Sequence, residues 1–171
     1  MPSRPVRLIV IRGNSASGKS SVAAEIRRRH GRGLAIVGQD NLRRQVLREL
    51  DVPGGSNIDL IDLTARFALE RGFHTIVEGI LDAGRYGAML TALIADHADR
   101  SRAYYLDVPL AETLRRHATK PEADAYGERE MRDWYRHRDL LPGRVEHVID
   151  ASSSLDQTVR LIMADADLGP Q

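Results

Sequence analysis

Gly13, Gly18, Lys19 and Ser20 stand at the spacing G-x-x-x-x-G-K-S, in the stretch Gly13-Asn14-Ser15-Ala16-Ser17-Gly18-Lys19-Ser20. The chemistry of that pattern is phosphate binding. Glycines let backbone N–H groups approach phosphate oxygens, the positive end of a following helix and an ammonium meet the remaining charge, and a hydroxyl is left for Mg²⁺. A nucleotide is therefore expected against Gly13, Ser15, Ala16, Ser17, Gly18, Lys19, Ser20 and Ser21, with Lys19 on the β- and γ-phosphates and Ser20 on the metal. Lys19 and Lys120 are the only lysines among 25 basic residues, so a lysine kept inside this loop points to function.

Two carboxylates stand where they could act with the loop. Asp40 comes just after the apolar run Leu34-Ala35-Ile36-Val37, and Glu78 ends the run Thr75-Ile76-Val77. If both runs are parallel strands, their carboxyl ends open on one crevice, the place where such sheets bind ligands. A carboxylate there takes the proton of a substrate hydroxyl or holds Mg²⁺, and phosphoryl transfer needs both tasks done. Asp40 is assigned the proton and the substrate, Glu78 the metal with a share in substrate binding, and Arg43 a place beside the substrate. Asp40 also suits the N-cap of a helix starting near Asn41.

Transfer to a hydroxyl further requires positive charge on the transferred group and exclusion of water. Arg116 closes one helical pattern, and Arg129, Arg132 and Arg136 recur at helical spacing after a loop containing Pro121 and Gly127. Residues from about 118 to 138 are thus expected to form an arginine-rich lid, with Arg116, Arg132 and Arg136 as the catalytic cations. His74, His97, His117, His137 and His147 show no metal-ligand spacing. Tyr104, Tyr105 and Trp134 read as packing residues, with Trp134 near enough the lid to touch a substrate.

The elements that must position these groups follow from periodicity. Strands are expected at Val6–Ile11, Leu34–Val37, Thr75–Gly79, Ala103–Val108 and Val145–Asp150. Helices are expected from the loop to about Arg29, from Asn41 through Leu50, over 57–71 (apolar face Ile58, Ile61, Leu63, Ala65, Ala68, Leu69), and over 85–97, 110–117, 128–139 and 155–166. Alternation of this kind means an α/β fold with a five-stranded parallel sheet and helices on both faces. A chain of 171 residues fits one domain, and a net charge of +1 points to neither nucleic acid nor an acidic membrane. There are no cysteines, no apolar run long enough to span a bilayer, and no apolar leader in Met1–Pro5, so a cytoplasmic monomer or homodimer is the expectation.

With these residues in view, the chain resembles the small P-loop kinases of the shikimate, gluconate and adenylate kinase group, and within it chloramphenicol phosphotransferase and the zeta-toxin kinases. The resemblance runs from the phosphate loop through Val37-Gly38-Gln39-Asp40-Asn41-Leu42 and Ile76-Val77-Glu78-Gly79-Ile80-Leu81 to Tyr105-Leu106-Asp107-Val108-Pro109. It implies a three-layer P-loop NTPase fold with strand order 2-3-1-4-5, ATP as co-substrate with Mg²⁺, and Asp40 as base. It also implies lid arginines, Arg116 fitting best, and a small hydroxyl-bearing acceptor held over about 41–72. A GTPase-type switch or a non-catalytic nucleotide-binding module is the alternative; the chain has neither N-K-x-D nor a D-x-x-G after the third strand.

Overall fold

The computed structural model describes residues 5–169, with Glu122 and Asp124 described by backbone only; Met1–Arg4, expected to hold no apolar leader, lie outside the described residues. Five parallel strands run in the order β2-β3-β1-β4-β5, as expected. They are β1 Leu8–Gly13, β2 Leu34–Gly38, β3 His74–Gly79, β4 Ser101–Asp107 and β5 Glu146–Asp150. Among the described residues six α-helices connect and cover them: α1 Lys19–His30, α2 Ser56–Glu70, α3 Ala83–Asp96, α4 Leu110–His117, α5 Glu128–Trp134 and α6 Leu155–Asp165.

β1 explains the layering. Every residue of it is buried, so its side chains feed both faces of the sheet. Ile9 and Ile11 pack with Val22 and Ile26 of α1 and Val159 and Ile162 of α6. Leu8 and Val10 point the other way, into Ile61 and Leu69 of α2 and Leu90 and Leu93 of α3. The central strand is thus sandwiched, and its carboxyl end leads into the crevice.

Three expectations are corrected. Leu63 is 65% exposed and off the apolar face of α2, because two residues turn a helix by about 200° and carry it away from Ile61. The helix expected over Glu128–Asp139 stops at Trp134: Tyr135 is already extended (φ −62°, ψ 129°), so Arg136 is not on a helix. The Asn41 segment is a π-helical turn over Asn41–Leu47, ended by Arg48 in the left-handed region, and it leaves Val46, Leu47 and Leu50 exposed. Single π turns of this kind cluster at functional sites. Among the described residues no helix is long and apolar enough to cross a membrane.

Candidate active site

The loop between β1 and α1 closes on itself. Gly13 takes φ 154°, and a Cβ there would lie 2.7 Å from Ser17 Oγ and 2.8 Å from the Leu106 carbonyl, so no side chain fits. Gly18, in the left-handed region, turns the chain into α1. Lys19 Nζ donates to the Asn14 carbonyl at 2.7 Å and to Ser17 Oγ at 3.2 Å. Burial pulls this ammonium down to about 8, with Glu78 and Asp40 opposing the fall and Lys120 and Arg12 adding to it. A phosphate placed in the loop would supply the counter-charge that burial has taken from it.

The register brings the carboxylates to this loop. Glu78 lies opposite Ile11 of β1 on one side and Gly38 of β2 on the other, so the β3 carboxylate emerges between the loop and Asp40. Gly79 is required beside it: a Cβ would sit 2.6 Å from Gln39, whose amide oxygen accepts from Leu81 N at 3.0 Å and whose NH₂ donates to Tyr86 Oη at 2.9 Å. Glu78 is buried, and burial pushes its carboxyl up against the opposing pull of Lys19 and Ser20. Asp40 is 74% exposed at its side chain and opens into the crevice. Its backbone is itself helical and its carboxylate makes no capping bond, which corrects the N-cap expectation; the carboxylate instead faces Arg44 at 3.4 Å and Arg43 at 3.6 Å.

Ser20 Oγ donates to Glu78 Oε2 at 3.2 Å. That separation is close to the roughly 2.9 Å between neighbouring vertices of an Mg²⁺ octahedron with ~2.1 Å bonds, so the pair fits the metal. No group of three His, Asp or Glu gathers for a metal among the described residues, and an ion here would complete its shell with phosphate oxygens and water.

Three hollows meet around Asp40 and the loop. A small one of about 90 Å³ is lined by Lys19, Ser20, Asp40, Glu78, Lys120 and Tyr126. A second, of about 420 Å³, runs from Gly18 past Arg116 and Lys120 to the Ser152–Ser154 turn after β5. A third, of about 450 Å³, opens on the other side of Asp40 toward Arg43, Trp134 and Arg136. Of the lid arginines, Arg116 reaches the loop, Nη1 donating to the Ser17 carbonyl at 3.3 Å. Arg136 lines the third hollow, while Arg132 turns outward to Glu128 at 2.8 Å and lines none of the three.

A family model described as an AAA domain (AAA_33) matches residues 8–141. The chain belongs to this AAA domain family. The APS kinase of Mycobacterium tuberculosis, solved with AMPPNP and APS, is 19% identical with a TM-score of 0.71, covering 94% of this chain and 96% of that one. A gluconokinase from Sinorhizobium meliloti is 16% identical (TM-score 0.59, 96% and 93% covered), and a shikimate kinase from Bacteroides thetaiotaomicron 12% identical (TM-score 0.63, 95% and 99% covered). The resemblance to the P-loop kinase group therefore holds for the whole fold. No curated protein matches the sequence.

Sequence reasoning missed three parts of this AAA domain's crevice. Lys120 borders both the small hollow and the second one, and its being the only other lysine was the available signal. Tyr126 bridges the segment after α4 and the loop, its hydroxyl 3.0 Å from Ser15 Oγ and its ring stacked on His117 at 4.5 Å. Asn14 is buried and grips the backbone of Arg136 from both sides, Nδ2 donating to its carbonyl at 2.7 Å and Oδ1 accepting from its N–H at 2.9 Å. No local pattern announces the last two, because the contacts that bring them to the crevice, Tyr126 with Ser15 and Asn14 with Arg136, join residues more than 100 positions apart.

Proposed function

We propose that the protein is an ATP-dependent, Mg²⁺-requiring kinase that transfers the γ-phosphoryl group to a hydroxyl of a small molecule. The observation that carries this reading is the meeting of Lys19, Ser20, Asp40 and Glu78 at the carboxyl ends of β1, β2 and β3, with a separate hollow beyond Asp40 for an acceptor. A switch or a sensor does not require the hollow beyond Asp40.

In this reading the triphosphate lies on the amides of residues 13–21, and its base enters the hollow between Arg116 and Ser152–Ser154. Ser20 and Glu78 would hold Mg²⁺, and the ion would supply neutralisation of phosphate charge there. Asp40 accepts the proton of the acceptor hydroxyl as its oxygen attacks the γ-phosphorus. The bond to the β-bridging oxygen breaks, and ADP leaves. Lys19, Arg116 and Lys120 meet the charge on the transferred group. Arg136 faces the acceptor, and Arg132 joins the site when the lid turns inward. Tyr126 closes the space between lid and loop to water. The whole chain acts as one catalytic domain, in the cytoplasm, on ATP and a small molecule, as monomer or homodimer.

The test is transfer of label from [γ-³²P]ATP to a panel of hydroxyl compounds, with GTP in parallel. Labelled phosphomonoester is expected from ATP. Release of inorganic phosphate alone, with GTP preferred, would favour the switch.

A further inference from the structure

The hollow beyond Asp40 carries more positive charge than its own carboxylates balance. Four guanidinium groups line it, Arg43, Arg44, Arg85 and Arg136, against the carboxylates Asp40, Asp51 and Asp82. Arg85 is paired with Asp51 at 3.2 Å, and Asp82 is engaged as the cap of α3, accepting from Arg85 N at 3.2 Å. Arg43 and Arg44 then share Asp40 at 3.6 and 3.4 Å, longer than the ~2.7–2.9 Å of a charge-assisted hydrogen bond. The Nε of Arg43 is buried with no partner, and its Nη1 reaches only the Glu49 carbonyl at 3.1 Å. Arg136 donates from Nη1 to the carbonyls of Asp133 and Tyr135, at 2.7 and 3.0 Å, and faces no carboxylate in the ion pairs of the described residues.

The imbalance sharpens during transfer. When Asp40 takes the acceptor's proton it ceases to be a counter-charge, and Arg43 and Arg44 are left together in a half-enclosed space. An anion carried by the acceptor would relieve this. The same hollow also has apolar lining, with Leu50 78%, Val52 43% and Trp134 40% exposed. The phosphates of ATP do not need these arginines, since Lys19, Arg116 and Lys120 stand on the nucleotide side. We infer that the acceptor is an amphipathic hydroxyl compound, its anionic group (carboxylate or phosphate) held by Arg43 and Arg136 and its apolar body against Leu50, Val52 and Trp134. This rests on the kinase reading for the hydroxyl and for Asp40, though not for the anion.

The experiment titrates the full chain, with and without saturating AMPPNP and Mg²⁺, with 4-(hydroxymethyl)benzoate, its primary amide and 4-(hydroxymethyl)phenyl phosphate, followed by NMR shifts. The anions are expected to bind at least tenfold more tightly than the amide, and the better of the two identifies the anionic group. Arg43→Gln and Arg136→Gln should each cut that advantage at least threefold. Equal binding of the amide, no binding of either anion, or an advantage that survives both substitutions overturns the inference, as does a loss confined to AMPPNP affinity. Failure of AMPPNP itself to bind the parent would sink the kinase reading instead, and the anion comparison without nucleotide would still be decided.

Discussion

The two sides of the crevice are built differently. On the nucleotide side, Asn14, Ser17 and Lys19 are buried and bonded to one another within five residues of chain, on the end of a strand with no exposed side chain. On the acceptor side, walls come from 39–52, 80–85 and 126–136, exposed apolar residues stand at the mouth, and a π turn carries Arg43 and Arg44. In the proposed reading, the first side is preorganised for the nucleotide. The second is assembled from segments distant in the chain, the arrangement that would let one scaffold change acceptors.

The comparison is broken most severely at Lys19. Lys19→Met should lower transfer by at least ~10³-fold, since the transferred phosphoryl loses its nearest cation. The same change should stabilise the empty protein at pH 7 by roughly 1–3 kcal/mol, because a buried ammonium held below its ordinary value disfavours the fold while it is charged. Turnover and urea unfolding check the two halves; a variant that is both active and no more stable would show that the loop is not strained toward phosphate. Asp40→Asn tests the other side. It should cut kcat by about 10²–10⁴-fold and leave AMPPNP affinity near the parent's. Stability should change by less than ~0.5 kcal/mol, because the carboxylate is exposed, caps nothing and makes only long ion pairs. Near-normal kcat would move the proton to Glu78.

The strained lysine also sharpens the contrast through pH. Lys19 in the empty fold titrates near 8 against 10.5 in the unfolded chain. Its stabilising contribution is therefore complete above the unfolded value and lost as pH falls through 8, so the empty protein should gain stability between about pH 8 and 10.5. Glu78 has the opposite sign: its raised carboxyl favours the fold below 4.5, and that contribution is lost as pH rises through the folded value. Phosphate restores the lysine's proton. Binding of AMPPNP at pH 8 should take up roughly half a proton, falling toward zero by pH 6, as read by calorimetry in buffers of different ionisation heat. Heats that do not depend on the buffer would mean that Lys19 stays fully charged in the empty loop.

What was legible in the sequence follows the same divide. The loop, the five strands and the approach of Asp40 and Glu78 to one crevice came from local patterns: a glycine spacing, apolar runs, a charge at each strand end; the strand order came only from the resemblance to the P-loop kinases. The helix over 128–139 failed because its last residues are not governed by helical spacing. Asn14 holds the backbone of Arg136, Tyr105 Oη lies 3.4 Å from the Arg136 carbonyl, and Arg12 pairs with Asp139 at 3.0 Å, so long-range bonds pull the chain straight after Trp134. Arg12 itself, wholly buried and shared with Glu146 at 2.8 Å, sits in an apolar strand where periodicity gives no reason for a charge. Leu50 and Val52 were legible as apolar, yet not as the exposed mouth of a site.

The smallest expected effects lie in the proposed lid over 118–138 and would decide which of its cations meets the γ-phosphate. Lys120 borders the hollow between loop and Asp40, so Lys120→Met should lower kcat by about tenfold or more with little change in the binding of AMPPNP. Arg132 is 54% exposed and committed to Glu128, one turn back on α5. To act, it must leave that ion pair and α5 must swing inward, a motion that would appear as new hydrogen-exchange protection over 118–138 when AMPPNP and Mg²⁺ bind. Surface pairs of this kind hold little energy, so the pair is no barrier to the swing. If the lid closes as proposed, Arg132→Gln should lower kcat by about tenfold and change stability by less than ~0.5 kcal/mol; with α5 fixed where it stands, the change in kcat would stay under about threefold. A tenfold loss together with nucleotide-dependent protection would establish a closing lid and put Arg132 beside Lys120 at the transferred phosphoryl.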